Sequence, residues 1–288
     1  MKMYDVLIIG GGVAGMSAAI YAKRRGKNVA IIEKFTLGGQ VALLNRIENF
    51  PSQEEIDGFS LSQMFAKQIK HLEIEVIYDN ITKVDFSGEN KILYGKTEYL
   101  CKSVIIATGL SSIELGKNEN EYLGRGVSYC AVCDANFYKN QIVCVASKNG
   151  SGIKGALDLA GVCSKVVVLD SGDMSKYASV NKNEKIEVVS NVEIEKVEGK
   201  DVLNKVVAKV KGKEEVFDTS ALFIELGKKP KTDIYKGVLD MDERGFIKTD
   251  SNMRTSINGV FAVGDVRNGF LKQIVTGCSD GAIAGQLA

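Results

Sequence analysis

The sequence has little proline and no bias towards one sign of charge. Two prolines among 288 residues, with no low-complexity tract, argue against a long disordered arm. Lysine and arginine total 37 against 36 aspartate and glutamate residues, which argues against a nucleic-acid partner, since polyanion binders usually carry a basic excess. No apolar run approaches the roughly 18 residues of a membrane span, so we predict no membrane association. Because no signal peptide precedes the first strand pattern, we expect a cytoplasmic protein.

Histidine and cysteine are also few. The one histidine, His71, lies in a helix-like segment, where we expect a solvated rather than a catalytic side chain. The six cysteines do not indicate a secreted disulfide framework, because the chain is long enough for about two domains with ample cores. Four of them stand alone in apolar stretches and are predicted to act as small hydrophobic side chains. These are Cys101, Cys144, Cys163 and Cys278.

Glycine is abundant, and the first of its clusters follows a strand pattern near the N-terminus. Residues Tyr4–Ile9 form an apolar run typical of a buried parallel strand, and Gly10-Gly11-Gly12-Val13-Ala14-Gly15 follows directly. Helix-like composition continues to Arg25, and a second strand pattern, Lys27–Glu33, ends in an acid. Strand, Gly-x-Gly-x-x-Gly, helix, strand and acid in this order predict a dinucleotide-binding unit. A glycine-rich turn in an unliganded α/β domain is the alternative.

Each part of this pattern has a physical role. Gly10 permits a tight turn, Gly12 lets the backbone approach a pyrophosphate, and Gly15 lets helix and strand pack closely. The helix N-terminus offers N–H groups and a partial positive charge to the phosphates. The carboxylate of Glu33 can accept hydrogen bonds from ribose hydroxyls. The predicted cofactor-binding residues of this unit are Gly10, Gly12, Val13, Ala14, Gly15, Glu33 and Lys34.

Two later segments favour FAD over NAD as the ligand. Val104–Gly109 is an apolar strand pattern that ends in Thr-Gly, and Gly259–Asp265 is another that ends in Gly-Asp. Both resemble the segments that close the FAD cradle in flavoproteins with two dinucleotide-binding domains, where the aspartate binds the ribityl chain or its neighbouring phosphate. The alternative is that Asp265 only caps a following helix. The candidate residues are Ala107, Thr108, Gly109, Gly264 and Asp265.

Cys130 and Cys133 form a Cys-x-x-Cys pair. Two intervening residues allow a disulfide within one turn and also suit a metal, but structural zinc needs four ligands, usually a second pair or histidines. The sequence offers neither, so we predict no metal. A thiolate near a helix N-terminus has a lowered pKa and is a useful redox nucleophile, and Asp134 could return a proton to the departing sulfur. We therefore predict Cys130, Cys133 and Asp134 as catalytic residues, with a structural disulfide as the alternative.

The motifs together resemble the low-molecular-weight thioredoxin reductase family. They are GGGVAG, Gly38-Gly39-Gln40, IENFP, IIATG, CAVCD, GVFAVGDV and Lys272-Gln273-Ile274, in order from about residue 3 to residue 285. The resemblance implies an α/β fold class with two Rossmann-like dinucleotide-binding domains, the second inserted into the first. It places a discontinuous FAD-binding domain at 1–110 and 237–288, and an inserted domain with the Cys-x-x-Cys pair at 111–236. It also implies a homodimer.

The same resemblance implies roles for single residues. Cys133 would lie nearer the flavin, and Cys130 would exchange with the disulfide of thioredoxin, the predicted protein partner. Further residues would line the FAD. These are Gly39, Gln40, Asn49, Val84, Asp265, Lys272, Gln273 and Ile274.

The inserted domain departs from the family at its second phosphate loop. The strand pattern Gln141–Ala146 leads to Ser147 and Asn149 where the family has its first two glycines, so an asparagine side chain would stand where the backbone must approach a pyrophosphate. The next strand pattern, Lys165–Leu169, leads to Asp170 instead of the His-Arg-Arg run that binds the 2′-phosphate of NADPH. An aspartate would repel that phosphate. We predict that NADPH does not bind, although Asp170 leaves NADH open.

A reductase without a nicotinamide site needs another electron donor. The chain is predicted to be closest to the ferredoxin-dependent flavin thioredoxin reductases, which keep the FAD and the Cys-x-x-Cys pair. The predicted function is a flavin-dependent disulfide reductase that passes electrons from reduced ferredoxin to thioredoxin. The alternatives are an NAD(P)H-dependent thioredoxin reductase, a reductase of another disulfide protein, and a flavin-binding redox sensor without turnover.

Overall fold

A computed structural model describes residues 2–173 and 183–288. The chain divides into two compact units: unit 1 comprises Met1–Ser111 and Lys229–Ala288, and unit 2 comprises Ser112–Lys228. The chain therefore leaves unit 1 once, forms unit 2 and returns. This is the connectivity predicted for an inserted domain.

Both units contain strands and helices. The first elements are β1 (Met3–Ile9), α1 (Val13–Arg24), β2 (Val29–Glu33), α2 (Gly58–His71), β3 (Glu75–Tyr78), β4 (Lys83–Asp85), β5 (Lys91–Tyr94), β6 (Glu98–Ile106) and β7 (Leu110–Ser112). Next come β8 (Val127–Ser128), α3 (Ala131–Asp134), β9 (Ile142–Ser147), α4 (Ile153–Ala160), β10 (Lys165–Asp170), β11 (Ile186–Ser190), β12 (Val192–Gly199), β13 (Leu203–Val210), β14 (Lys213–Asp218), β15 (Ala221–Glu225) and β16 (Lys228–Pro230). The last two are β17 (Val260–Ala262) and α5 (Ile274–Leu287).

Unit 1 contains a sheet with the strand order β3-β2-β1-β6-β5-β4, and β17 pairs with β6. The central strand β1 pairs in parallel with β2 and β6, and both of its faces are covered, as is usual for parallel strands. Val6 and Ile8 face a core formed with α1 and α5, whereas Leu7 and Ile9 face a second core. The two helices can pack closely because Gly281 of α5 has no side chain. A Cβ at this position would lie only 2.2 Å from the carbonyl oxygen of Ala14 in α1.

Unit 2 combines a five-stranded sheet, β11-β10-β9-β15-β8, with a three-stranded sheet, β12-β13-β14. The pairs of the five-stranded sheet are parallel. Val143 and Val145 of β9 face a core with α3 and α4, whereas Cys144 and Ala146 face the three-stranded sheet. Both units are thus built on parallel strands between two layers, and the predicted α/β class is confirmed.

The second junction between the units lies earlier than the sequence predicted. The inserted domain was expected to end at 236, whereas unit 2 ends at Lys228. Tyr235 is fully buried in a core of unit 1 that also contains Phe86 and Leu239. Its ring stacks on that of Phe86 with 6.4 Å between the centroids. Residues 229–236 therefore belong to unit 1, because an aromatic side chain in this segment completes the core there.

The histidine and the four isolated cysteines have the surroundings that the sequence predicts. His71 is the last residue of α2 and is exposed, as predicted. Cys101, Cys144 and Cys163 are fully buried and Cys278 is half-buried, which confirms that they pack as small hydrophobic side chains. No described helix combines the length and the apolar character that crossing a membrane requires.

Candidate active site

The glycine-rich loop of unit 1 joins β1 to α1 through contacts that only glycine allows. Gly10 has a φ of +107°, and a Cβ on it would lie 2.4 Å from the carbonyl oxygen of Ala107. A Cβ on Gly15 would lie 2.0 Å from the carbonyl oxygen of Gly10. Because both clashes involve backbone atoms, no side-chain movement relieves them. Gly10 and Gly15 therefore close the turn and bring helix and strand together.

Gly12 has a different role in the same loop. It is the N-cap of α1 in extended backbone, and a Cβ on it would meet no atom within 4 Å. Within the described residues, no side chain caps this end of α1. The N–H groups of the first turn, from Val13 and Ala14 onward, can therefore bind a phosphate group. An open approach beside uncapped amides fits the pyrophosphate of a dinucleotide such as FAD.

Two alanine variants test this geometry, because they add the same methyl group at two places. Gly15→Ala is expected to destabilise the apoprotein by roughly 2–3 kcal/mol, since the methyl group meets backbone. Gly12→Ala is expected to change stability by less than about 0.5 kcal/mol but to weaken FAD binding at least about tenfold. FAD titration and the melting temperature of the apoprotein measure the two effects. Full FAD affinity in Gly12→Ala would contradict the placement of the pyrophosphate.

The acid at the end of β2 lies beside this loop. Glu33 Oε2 accepts the N–H of Gly11 at 2.7 Å, and Oε1 accepts the N–H of Phe35 at 2.9 Å. An ionised carboxylate has further lone pairs, so Glu33 can still accept hydrogen bonds from a ribose. The neighbouring Lys34 extends over the ring of Phe35, with 5.1 Å between Nζ and the ring centroid. The contact of Glu33 with ribose stays a prediction.

The segment after β6 closes one side of the loop. Ala107 N–H donates to the carbonyl oxygen of Ile9 at 2.8 Å, which continues the pairing of β6 with β1. Thr108 Oγ1 donates to the carbonyl oxygen of Lys231 at 3.0 Å. Gly109 follows with a φ of +63°. Ala107 and Thr108 thus lie directly beside the end of β1 and the first glycine of the loop, and Gly109 follows them.

The segment after β17 lies beside the start of α1. Gly264 has a φ of +70°, and a Cβ on it would lie 2.9 Å from the Cβ of Ala14. Asp265 is in a short 3-10 helix, Gly264–Val266, whose N-cap is Val263. Asp265 is therefore a residue of this short helix and not its N-cap, and its contact with FAD stays a prediction.

Three further predicted residues are brought together from distant parts of the chain. Asn49 Nδ2 donates to Gln273 Oε1 at 3.0 Å across a separation of 224 residues. Lys272 Nζ donates to the carbonyl oxygens of Asp265 at 2.8 Å and Arg267 at 2.9 Å. Burial lowers the pKa of Lys272 below its ordinary value. Lys272 thus bonds to the segment that contains Asp265, and the neighbouring Gln273 bonds to Asn49.

The remaining predicted FAD residues have different surroundings. A Cβ on Gly39 would lie 3.2 Å from Gly12 Cα, so this residue abuts the glycine-rich loop. Gln40 follows it in a 3-10 helix and is exposed. Ile274 is the first residue of α5 and packs against the core shared with α1. The side chain of Val84 is buried in the other core of unit 1, so only its backbone could meet a ligand.

Sequence reasoning missed Asp280 and Arg267. Asp280 Oδ2 accepts the N–H of Gly264 at 3.0 Å and pairs with the Arg267 guanidinium at 3.2 Å. The two side chains are 13% and 16% exposed. Asp280 therefore fixes the position of Gly264, the residue before Asp265. The one available signal was an isolated acid in α5, which otherwise consists of small and apolar residues with a few polar ones.

In unit 2, Cys130 and Cys133 are joined by a disulfide at the start of α3. Cys130 is the N-cap of this helix, and the Cα atoms of the two cysteines are 5.3 Å apart. The N–H of Cys133 donates to Cys130 Sγ at 3.2 Å. Cys133 is exposed, whereas Cys130 and Asp134 are half-buried. The N–H of Cys133 is thus placed to stabilise a thiolate on Cys130 when the pair is reduced.

The loop after β9 is hydrogen-bonded to a carboxylate of the protein itself, that of Asp170. Asp170 of β10 pairs in register with Ser147 of β9, and its side chain is fully buried. Asp170 Oδ2 accepts Ser147 Oγ at 2.5 Å and Gly150 N–H at 2.8 Å. Its Oδ1 accepts Asn149 N–H at 2.9 Å and Gly172 N–H at 2.7 Å. Burial by itself would raise the pKa of Asp170, but these hydrogen bonds outweigh it and hold the pKa below the ordinary value.

The other amides of this loop are also bonded within unit 2. Lys148 N–H donates to Ser151 Oγ at 3.0 Å, and Gly152 N–H donates to Ser147 Oγ at 2.9 Å. The N–H groups of Ser151 and Ile153 donate to backbone carbonyls of the loop. Every N–H from 148 to 153 therefore has an acceptor inside the protein, in contrast to the uncapped first turn of α1.

The fold and the site define a pyridine nucleotide-disulphide oxidoreductase, and the chain belongs to that family, whose model matches residues 4–281. Within it the chain is a member of the low-molecular-weight thioredoxin reductases, which are FAD-dependent disulfide reductases. The thioredoxin reductase of Peptoclostridium acidaminophilum is 37% identical over 299 residues, covering 98% of this chain and 95% of that protein. The thioredoxin reductase of Bacillus subtilis is 37% identical over 295 residues, covering 99% and 93%.

Solved structures agree with this assignment. Lactococcus lactis thioredoxin reductase superposes with a TM-score of 0.82 at 36% identity, covering 99% of this chain and 97% of that chain. A ferredoxin-flavin thioredoxin reductase from Clostridium acetobutylicum superposes with a TM-score of 0.55 at 28% identity, covering 98% and 95%. The second protein is less similar than the first. The comparisons therefore do not support the predicted closeness to the ferredoxin-dependent group.

Proposed function

We propose that this chain reduces the disulfide of thioredoxin through Cys130 and Cys133, with electrons from reduced ferredoxin instead of a nicotinamide. The observation that carries the choice of donor is the bonded loop after β9. A pyrophosphate needs free backbone N–H groups there, yet Asp170 already accepts those of Asn149 and Gly150.

Charge supports the same conclusion. The pKa of Asp170 lies below its ordinary value, so the side chain is an anion at neutral pH and would repel a phosphate approaching the loop. The three residues that follow it are Ser171, Gly172 and Asp173, and none of them is cationic. The carboxylate is also buried and bonded to four donors, so binding the ribose of NADH would require breaking these hydrogen bonds.

Ferredoxin is proposed as the donor because FAD, when bound, can accept electrons one at a time and pass them on in pairs. The similar Clostridium acetobutylicum protein is described as a ferredoxin-flavin thioredoxin reductase, so this architecture is compatible with such a donor. Unit 1 supplies the cofactor residues described above, with Gly12 and the first turn of α1 at the phosphates and Asp265 beside them.

The proposed thiol chemistry balances at each step. The Cys130–Cys133 disulfide takes up two electrons and two protons and becomes a dithiol. The Cys130 thiolate then attacks the disulfide of thioredoxin, which forms a mixed disulfide and releases one thioredoxin thiolate. Cys133 attacks Cys130 Sγ, releases the second thioredoxin thiolate and restores the intramolecular disulfide. Asp134, one residue after Cys133, is proposed to deliver protons to the departing sulfurs.

The donor assignment is tested with the FAD-loaded enzyme under anaerobic conditions. With reduced ferredoxin and oxidised thioredoxin, thiols should appear without any nicotinamide. With NADPH or NADH as the sole donor, bleaching of the flavin should be at least about 100-fold slower than with ferredoxin, because binding would have to break the Asp170 contacts. Prompt bleaching by either nicotinamide would overturn the choice of donor while leaving the thiol chemistry in place.

A homodimer and a cytoplasmic location are proposed from the family resemblance and from the sequence. Unit 1 has exposed apolar side chains that a second copy could cover, since large apolar patches often mark protein contacts. These include Leu43, Leu44, Phe59 and Met64, which are 45–61% exposed.

A further inference from the structure

A carboxyl group outside the predicted site lies against the Cys-x-x-Cys turn. Glu225 is the last residue of β15, and its carboxylate faces the backbone N–H of Ala131, the residue after Cys130, which favours the charged form of the carboxylate. A Cβ built on Gly155 of α4 would lie 3.2 Å from Glu225 Oε1 and 3.3 Å from Ala131 Cβ. The carboxylate and Ala131 therefore occupy one small space, which exists because α4 has glycine at that position.

Glu225 is held there by its own backbone as well. Its carbonyl oxygen accepts a hydrogen bond from Ser151 Oγ, and it pairs with Ser147 in the register of β15 and β9. Three elements of unit 2, namely β15, α3 and α4, thus meet at this carboxylate. A side chain fixed from several sides can hold a charge at a defined place.

The charge of Glu225 competes with a thiolate on Cys130. A thiolate at the start of a helix is stabilised by free N–H groups, and a nearby anion disfavours it. Of the first amides of α3, that of Ala131 faces the Glu225 carboxylate and that of Cys133 donates to Cys130 Sγ. The carboxylate therefore competes for one of these amides and adds a negative charge beside the turn that carries the two sulfurs.

We propose that Glu225 is a positioning residue that makes the Cys130–Cys133 pair a stronger reductant, by placing a negative charge against Ala131 in the first turn of α3. Reduction of the disulfide takes two electrons and two protons, and the dithiol then partly loses a proton from Cys130. A stabilised thiolate makes a pair more oxidising, so disfavouring it has the opposite effect. The inference rests on the proposed redox role of the pair and does not depend on the electron donor.

The effect should depend on pH. Burial raises the pKa of Glu225 above its ordinary value, and Asp158 adds to this, whereas the Ala131 N–H, Lys228 and Lys154 act in the opposite direction. Below its folded pKa the carboxyl group is neutral, and the competition with the thiolate disappears. Above that pKa it is present in full.

The test is a redox titration of the full-length FAD-loaded protein in dithiothreitol buffers from pH 5.5 to 8.5, with alkylation and mass spectrometry to count free thiols. Glu225→Gln keeps an oxygen that can accept the Ala131 N–H but removes the charge. At pH 8 the equilibrium constant for reduction of the pair should rise about three- to tenfold in this variant, and tenfold corresponds to about 30 mV. At pH 5.5 the difference from the wild type should shrink.

Two further variants keep the result interpretable. Asp158→Asn removes a nearby charge that does not bond to Ala131, and it should leave the equilibrium constant within about twofold of the wild type. Glu225→Asp retains the charge on a shorter side chain and should give an intermediate value, which tests the inference even if Glu225→Gln folds poorly. Equal constants in the wild type and both Glu225 variants at every pH would overturn the inference. A pair that dithiothreitol cannot reduce in any of these proteins would instead contradict the proposed reductase function.

Discussion

Replacing Cys130 or Cys133 with serine is expected to lower the rate of thioredoxin reduction by at least about 10³-fold. Without Cys130 no thiolate is available to attack thioredoxin, and without Cys133 the mixed disulfide has no internal sulfur to resolve it. Because the two sulfurs act as one unit, the double variant should be no worse than either single variant. The rate is measured with reduced ferredoxin as the donor and thioredoxin thiols as the product.

A second measurement separates loss of the thiol chemistry from loss of the cofactor. The FAD residues proposed above lie in unit 1 and the cysteine pair lies in unit 2, so both serine variants should bind FAD and accept electrons from ferredoxin at rates near that of the wild type. Cys163→Ala, which changes a buried cysteine of unit 2 outside the pair, is the matched control and should retain activity. A serine variant with a tenth or more of the wild-type rate would exclude the dithiol mechanism.

Asp170→Ala is expected to destabilise the protein by about 3 kcal/mol, because each buried donor left without an acceptor costs roughly 1–3 kcal/mol and water can replace only part of the carboxylate. The variant removes the acceptor of one hydroxyl and three backbone N–H groups. For a chain of this size the loss corresponds to a decrease of roughly 10 °C in Tm. Thermal unfolding followed by circular dichroism measures it, and Asp201→Ala, at an exposed residue, is the control.

The contribution of Asp170 should also disappear in acid. Its folded pKa lies below the ordinary value, which is about 3.9 for an unfolded aspartate. The carboxylate therefore stabilises the folded state fully above the unfolded pKa, and this stabilisation is lost as the pH falls through the folded pKa. Between pH 6 and pH 3 the Tm of the wild type should fall more than that of Asp170→Asn, which has no titrating group there. If the Tm of the wild type and that of Asp170→Asn fell equally over this pH range, the carboxylate would not be an anion in this loop.

The sequence predicted elements most reliably where their signals are local. The strand β1 and the glycine loop after it lie where predicted, because turn geometry depends on neighbouring residues. The helix α1 begins at Val13, within the Gly-x-Gly-x-x-Gly motif and not after it, because the loop backbone and not side-chain propensity starts it. The strand β6 begins at Glu98, ahead of the predicted Val104, because antiparallel pairing with β5 extends it. A strand's partner cannot be read from its own composition.

The candidate site likewise has features that the sequence predicted and features that only the structure showed. The Cys-x-x-Cys pair and the missing glycines at Ser147 and Asn149 were visible in the sequence alone. The sequence indicated that Asp170 would repel a phosphate and left binding of NADH open. In the structure this side chain bonds to the loop itself, because the parallel register of β9 and β10 places it opposite Ser147.

The order of residues by itself determined the turn that receives the dinucleotide phosphates and the pair of sulfurs that can close a ring, since both depend on backbone and side chains within a few positions. Only the tertiary structure brought Asn49 to Gln273, Asp280 to Gly264 and Glu225 to Ala131. Such contacts join residues far apart in the chain. They follow from strand order and helix packing, which are set by many weak apolar contacts acting together and not by a pattern in any one segment.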